Sequence, residues 1–334
     1  MQFPMIDNKS IPHIAIIGAG ELGSRHLQGL ARTKLKIKIS IVDPSSNSLH
    51  LAKKRYLKMP ANRNIRSVGF FESIYGIDSD IDIVIIATNA DVRRKVIDNL
   101  LNHVHVHNFI LEKVVFQSLE DFQIIIKRFN KNGINAWVNC GRRLWPIFHE
   151  LKVEILGKSN ITMIVSGNNW GLACNMIHML DIFSFLTGEK EISICECDLN
   201  KKIYQSIKDG FIELGGKIVV ENKRGNKLIL SDGKKGTASI KMRIETDSEK
   251  IELDQINEKV IRFNKSTNEI SVETINVPLQ SELTHIVVQD ILNTGNSGLT
   301  ELEESFFLHR LMIKTFNQHI LSVTRKKIDI CPIT

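Results

Sequence analysis

Between Ile14 and Gly23 the chain reads Ile-Ala-Ile-Ile-Gly-Ala-Gly-Glu-Leu-Gly, an apolar strand-length run that breaks into Gly18-x-Gly20-x-x-Gly23 and continues as helix-forming sequence. Each glycine has its own reason. Gly18 permits a tight strand-to-helix turn, Gly20 lets the backbone approach a pyrophosphate, and Gly23 lets the helix pack closely on the strand. The free N–H groups at the helix start then face the anion. A second hydrophobic strand, Lys36 to Asp43, closes on an acidic residue twenty positions beyond Gly23. This is the opening of a dinucleotide-binding domain, in which Gly18, Gly20, Glu21, Leu22 and Gly23 are expected to face the cofactor.

Asp43 would accept hydrogen bonds from the adenosine ribose hydroxyls and repel a 2′-phosphate, which favours NAD over NADP. Ser45 and Ser46 beside it could host a phosphate, and an Asp-Pro-Ser turn also forms without any ligand. Downstream, apolar strand-length runs alternate with helical segments. The helix from Glu21 to Thr33 is expected to turn Leu22, His26, Gly29 and Leu30 inward. It is followed by a strand at Ile37 to Val42, a helix at Asn47 to Leu57 and strands at Ile65 to Val68 and Ile81 to Ala87. A helix at Asp91 to Leu101, a strand at Phe109 to Leu111, a helix at Leu119 to Phe129 and a short strand at Asn135 to Asn139 complete the series. This alternation predicts an α/β, doubly wound parallel sheet covered on both faces. Ala87-Thr88-Asn89 ends the most hydrophobic strand at the carboxyl edge, where such sheets bind ligands, so Thr88 and Asn89 are expected to line the cofactor cleft.

With 334 residues, 43% of them hydrophobic, the chain is long enough for two domains. The first is placed at residues 1–139 and the second, α+β with a largely antiparallel open sheet, at residues 140–334. Short β-prone runs fill the second half, at Ile161 to Ser166, Lys217 to Glu221, Lys227 to Ser231, Thr237 to Glu245, Lys250 to Asp254 and Ile270 to Ile275. Arg224-Gly225-Asn226 and Asp232-Gly233 are among the turns. Helices are predicted at Ala173 to Leu186, Gln280 to Asn293 and Leu302 to Leu321.

The net charge of +7 comes from 44 basic and 37 acidic side chains scattered along the chain, with 6% aromatic residues. Dedicated nucleic-acid binding wants clustered cations and stacking rings, so it is not expected. The apolar runs are too short to span a bilayer, and Met1 to Ser10 lack the pattern of a signal peptide. Five cysteines form no paired framework, which suits a reducing cytoplasm. His103, His105 and His107 alternate and would share one strand face, but no carboxylate or cysteine accompanies them, so no metal is expected.

Glu112-Lys113 follows directly on a strand at the carboxyl edge. The Lys113 ammonium could hydrogen-bond a substrate hydroxyl and stabilise a developing alkoxide, or it could form a surface ion pair with Glu112, which is otherwise expected beside the cofactor. On the helix from Ala173 to Leu186, Cys174, His178 and Asp181 share one face. Asp181 could fix the imidazole tautomer so that the other nitrogen exchanges a proton with substrate, or His178 could simply be a buried histidine satisfied by Asp181. Met176, Met179 and Phe183 beside it read as core.

Taken together these residues resemble the Gfo/Idh/MocA family of nicotinamide-dependent sugar and inositol oxidoreductases. The likeness is carried by Gly18-Ala-Gly-Glu-Leu-Gly-Ser-Arg-His26, Ala87-Thr88-Asn89, Glu112-Lys113, Trp170-Gly171 leading to His178-Met-Leu-Asp181, and the closing Leu302-Glu-Glu-Ser-x-x-x-His309. It implies a Rossmann domain, a second domain whose open sheet forms dimer or tetramer contacts, and Lys113 with His178 as the substrate-facing pair. Trp170, Cys174 and Asn168 or Asn175 are then the expected substrate contacts, though an asparagine there is also an ordinary turn residue. Two positions depart from the family: Val114 replaces its usual proline, and Cys174 stands where many members have an aspartate four residues before the histidine. The expectation is an NAD(P)-dependent dehydrogenase or reductase acting on a sugar, sugar nucleotide or polyol, in carbohydrate or surface-polysaccharide metabolism. The alternative is a non-catalytic protein that senses a nicotinamide cofactor and a sugar-like ligand.

Overall fold

The computed structural model describes residues 11–334, so the expectation concerning Met1 to Ser10 lies outside the described residues. The first sheet is built from β1 (His13–Ile17), β2 (Ile37–Val42), β3 (Ile65–Phe71), β4 (Asp80–Ile86), β5 (His105–Leu111) and β6 (Asn135–Val138). Between them lie α1 (Glu21–Leu30), α2 (Ser46–Tyr56), α3 (Ala90–Leu101) and α4 (Leu119–Lys131). The strands run parallel in the order β3-β2-β1-β4-β5-β6. The order reverses between β1 and β4, so a crevice opens outside their carboxyl ends. Helices cover both faces, which is why Ile14-Ala-Ile-Ile and Ile83-Val-Ile-Ile are apolar without alternation and buried throughout.

The second sheet draws on α5 (Pro146–Ile155), β7 (Thr162–Asn168), α6 (Leu172–Thr187) and β8 (Ile192–Leu199), and then on a ribbon of β9 (Tyr204–Gln205) with β10 (Ile212–Glu213). There follow β11 (Gly216–Asn222), β12 (Lys227–Asp232), β13 (Ser239–Glu245), β14 (Glu249–Asp254), β15 (Lys259–Asn264) and β16 (Ile270–Thr274). Eight of these strands align as β16-β15-β14-β13-β7-β12-β11-β8, antiparallel except where β7 meets β12. α6 packs on β12, α5 and the closing helix, and it is apolar nearly all round, as a fully buried helix must be. Met176, Met179 and Phe183 are core residues, as expected.

Three further elements complete the chain: α7 (Gln280–Thr294), β17 (Thr300–Glu301) and α8 (Leu302–Thr324). α7 packs against α1, and β17 pairs antiparallel with β6, so the chain returns to the first sheet before it ends. β15, Lys-Val-Ile-Arg-Phe-Asn, was not among the expected strands, because Lys259 and Arg262 fall on opposite faces and break the apolar–polar alternation that marks a half-buried strand. Among the described residues no helix is long and apolar enough to cross a membrane.

Candidate active site

The glycine turn is built as its spacing requires. Gly18 sits at φ +99° against the backbone of Ala87, and a methyl group at Gly23 would lie 1.8 Å from the Gly18 carbonyl oxygen. At Gly20 a methyl group would meet nothing within 4 Å, and this residue caps α1 without any side-chain hydrogen bond. Open backbone approach at Gly20 beside an uncapped helix start fits a dinucleotide pyrophosphate. Asp43 Oδ2 accepts from the Ala19 N–H at 2.7 Å and Oδ1 from the Ser45 N–H at 2.8 Å, so the carboxylate that would face the ribose also pins the turn. Ser45 Oγ caps α2 through Ser48 at 3.3 Å. Leu22 does not turn inward with His26, Gly29 and Leu30. It lines the cleft at 38% exposure, because the first turn of α1 projects beyond the sheet edge.

Across the switch point Thr88 and Asn89 line the same cleft, and Thr88 Oγ1 is buried without a partner. Behind them Arg93, 1% exposed, is a residue that sequence reasoning missed. Its guanidinium donates to the carbonyls of Thr88, Glu112 (2.6 Å), Val114 and Val115 (2.8 Å), which fixes the loop that carries Lys113. Burial lowers it to about 10, so it stays charged at neutral pH. Glu112 does not form a surface ion pair with Lys113. Its Oε1 accepts from His26 Nε2 at 2.8 Å and from Asn139 Nδ2 at 2.5 Å inside the first domain. Burial would raise this carboxyl, but those bonds together with the Arg93 charge hold it below its usual range. The Lys113–Val114 peptide bond is cis. His309 braces the same loop: its Nε2 accepts from the Val115 N–H at 3.3 Å while Nδ1 donates to the Ser305 carbonyl at 2.9 Å. Burial depresses this imidazole to about 3, which keeps it neutral and suited to both roles.

The first turn of α6 forms the opposite wall. Lys113 Nζ reaches across and donates to the Cys174 carbonyl at 3.1 Å. Trp170, Cys174 and Asn175 line the cleft, and Asn175 Nδ2 donates to the Trp170 carbonyl at 2.8 Å. Asn168 is outside it, paired with Ser239 in the sheet, and Asn169 takes the cleft position instead. Burial and the nearby Glu213 carboxylate push the Cys174 thiol up to about 12, so it is protonated at neutral pH.

Asp181 does not orient His178. Its Oδ1 accepts from Arg143 at 3.2 Å and from the Thr300 hydroxyl, because α6 rotates this position toward the segment after β6 and toward β17. Burial raises Asp181 to about 6. His178 is half-buried, its Nδ1 has no partner, and it sits behind the cleft wall rather than among the lining residues. Burial and the charges of Lys113 and Arg142 hold it well below the usual imidazole range.

The second domain adds a polar floor that the sequence left unread. Lys234 Nζ lies 3.0 Å from Asp232 Oδ2 and 3.7 Å from Glu213 Oε2, with Tyr204 beside it. Asp232, in an Asp-Gly turn by sequence, closes β12 and accepts from the N–H groups of Asn169, Gly171 and Leu172 at the start of α6. Lys208, on the loop joining β9 to β10, donates to Asn89 at 2.9 Å and so bridges the two domains. Only the tertiary meeting of the β9–β10 ribbon with the end of β12 and the start of α6 gives these residues a role. The histidine expectation also needs correction: the parallel register of β4 and β5 sets Asp80 opposite His105, so a carboxylate does accompany His105 and His107.

A glycine turn at the switch point of a doubly wound sheet faces an open and largely antiparallel sheet across one cleft, the architecture of an α/β protein with a Rossmann-like sheet. Residues 13–140 match the model of the oxidoreductase family with NAD-binding Rossmann fold, Gfo/Idh/MocA. No curated protein matches the chain in sequence. Among solved structures the chain is similar to an oxidoreductase from Agrobacterium radiobacter in complex with NAD+, L-tartaric acid and magnesium, at 17% identity and a TM-score of 0.66, over 91% of this chain and 94% of that one. It is similar to the UDP-N-acetylglucosamine 3-dehydrogenase GnnA from Acidithiobacillus ferrooxidans at 14% identity and a TM-score of 0.66, over 92% and 97%. The super-repressor mutant of Gal80p from Saccharomyces cerevisiae matches at 15% identity and a TM-score of 0.71, over 94% and 97%. At these identities the likeness is one of fold.

Proposed function

We propose that the protein is an NAD-dependent oxidoreductase that moves a hydride to or from a hydroxyl-bearing carbon of a sugar, a sugar nucleotide or a polyol. One observation carries this reading. A single cleft of about 860 Å³ is lined by Gly20, Glu21 and Leu22 at the glycine turn, by Thr88 and Asn89, by Lys113, and by Cys174 and Asn175 on α6. The dinucleotide, when bound, supplies or accepts the hydride. Gly20 and the start of α1 would hold its phosphates, with Gly18 and Gly23 shaping the turn, Asp43 would hold its ribose, and Thr88 and Asn89 would form the rim beside its reactive end. Asp43 is the basis for NAD rather than NADP, since a carboxylate there repels a 2′-phosphate.

Lys113 exchanges the Cys174 carbonyl for the reacting oxygen of the substrate and stabilises its developing negative charge. His178, one turn further along α6 from Cys174 and held neutral, is the group assigned to exchange the hydroxyl proton, which requires its ring to turn from behind the wall toward the cleft. Trp170 and Leu22 exclude water, while Asn169, Asn175, Lys208 and Lys234 offer donors to a hydroxylated substrate. Unpaired cysteines support a cytoplasmic setting, and exposed Ile270 and Val272 on the outer strand β16 support self-association through the open sheet.

A second reading, a non-catalytic nicotinamide- and sugar-sensing protein, is favoured by Cys174 and Asp181. The protonated thiol and the committed carboxylate leave His178 without a charged relay partner. The likeness to Gal80p is in keeping with it. The test is calorimetry with NAD(H) and NADP(H), followed by turnover on a panel of sugars, polyols and UDP- and CMP-sugars. Under the first reading Lys113→Ala lowers kcat by about 10²- to 10³-fold with NAD affinity unchanged. An unchanged rate removes Lys113 from the mechanism. Bound NAD without turnover, together with a specific protein partner, selects the second reading, and failure to bind either nucleotide rejects both.

A further inference from the structure

We propose that Asp80, His105 and His107 form a site for one borderline-soft divalent cation such as zinc, nickel or copper(II), at the amino end of the first sheet. His105 and His107 lie one residue apart on β5 and so share a face, and the β4–β5 register puts Asp80 directly opposite His105. His105 Nδ1 is 2.9 Å and His107 Nε2 3.3 Å from the same oxygen, Asp80 Oδ1, and the three ligand atoms all lie within 4.8 Å of one another. A tetrahedral zinc with bonds of 2.0–2.1 Å spaces neighbouring ligand atoms about 3.3–3.4 Å apart, so small side-chain rotations admit the ion. Two imidazoles and one carboxylate select late first-row metals over calcium or magnesium, which prefer shells of oxygen.

The surroundings leave this set free for a metal. All three residues are exposed, so ions arrive from solvent and water can complete the coordination shell. The nearby Asp78 is engaged by Lys38 at 2.5 Å. His103 is turned away, with Nδ1 on the Asn99 carbonyl at 2.7 Å and its ring against Tyr75, so the alternating series supplies two ligands rather than three. The cofactor cleft lies at the carboxyl end of the same strands, roughly 20 Å away along β4. A metal at the amino end therefore ties β4 to β5 without touching the cleft, and because it binds the folded chain it raises thermal stability with concentration.

The experiment is equilibrium dialysis of the full chain with zinc and, separately, nickel, comparing wild type with the His105→Ala/His107→Ala double variant. Exposed Cys195 and Cys197 can also take zinc, and the difference between the two proteins removes their contribution. Wild type is expected to bind one additional equivalent, with a metal-dependent rise in Tm that the double variant lacks, and Asp80→Asn is expected to weaken binding by about tenfold or more. Unchanged circular dichroism and nucleotide affinity verify that the variants are folded. Equal uptake by wild type and the double variant overturns the site, and an unchanged affinity in Asp80→Asn overturns the three-ligand assignment.

Discussion

Gly20 and Gly23 are three residues apart and serve opposite ends. At Gly23 the absence of a side chain lets α1 close on the Gly18 carbonyl, so Gly23→Ala should cost about 1–3 kcal/mol of stability, read by urea denaturation. At Gly20 a methyl group meets no protein atom, so Gly20→Ala should keep the wild-type Tm while NAD affinity in calorimetry falls at least about tenfold, a loss of roughly 1.4 kcal/mol. If both variants lose stability and neither loses affinity selectively, the space at Gly20 is not a phosphate cradle. Asp181 offers a pH test. Its carboxyl is raised from 3.8 to about 6, chiefly by burial, so the folded chain holds this proton more tightly than the unfolded chain. Stability therefore falls as pH rises through that window, and the penalty, on the order of 3 kcal/mol, is complete above pH 6. Asp181→Asn should gain on wild type by that order between pH 4 and 7 in denaturation at fixed pH, and a constant difference would contradict the assignment.

At the scale of elements, the functional loop after β5 is held less by its own sequence than by helices that reach it from both sides. Arg93 on α3 gathers four carbonyls around Thr88 and Lys113, and His309 on α8 takes the Val115 N–H. Removing the guanidinium strands buried carbonyls that each cost about 1–3 kcal/mol when unpaired. Arg93→Met should therefore lower stability by roughly 3 kcal/mol or more, and Lys113-dependent turnover should fall with it. An Arg93→Met protein with wild-type stability would mean that the loop is fixed by other contacts. Asp232 does for α6 what a local cap does for most helices: it satisfies the N–H groups of Gly171 and Leu172 from a strand some sixty residues later.

At the scale of the whole molecule, the segment from α7 onward binds the two sheets together. α7 lies on α1, where Thr284 Oγ1 is 3.0 Å from His26 Nδ1, and β17 extends the first sheet. Residues 331–334 then thread between the domains. Cys331 N–H donates to the Gln117 carbonyl at 2.9 Å, the Pro332 carbonyl accepts from Ile212 at 2.8 Å, and Thr334 Oγ1 accepts from Ala90 N–H at 3.3 Å. Ile333 is fully buried in that passage. Ile333→Ala should cost about 2–5 kcal/mol by chemical denaturation, and a cost below 1 kcal/mol would show that the segment does not hold the domains together.

What the sequence determined by itself was local: the glycine turn, the unbroken apolar strands around it, the buried α6 and the alternating strands of the open sheet. Backbone sterics and hydrophobic periodicity act over a few residues, so Gly18 to Gly23, Thr88 and Lys113 could be placed at strand ends without coordinates. Tertiary structure decided which polar groups meet. Asp181 was near His178 in sequence but bonds to Arg143 and Thr300, 38 and 119 positions away, because helix rotation and packing set its direction. Asp80 joins His105 only through strand register, Lys208 and Glu213 reach the cleft because the β9–β10 ribbon folds over it, and Lys234 reaches it from the loop after β12. Such pairings depend on how whole elements dock, and that is settled by burial summed over the molecule rather than by any one stretch of chain.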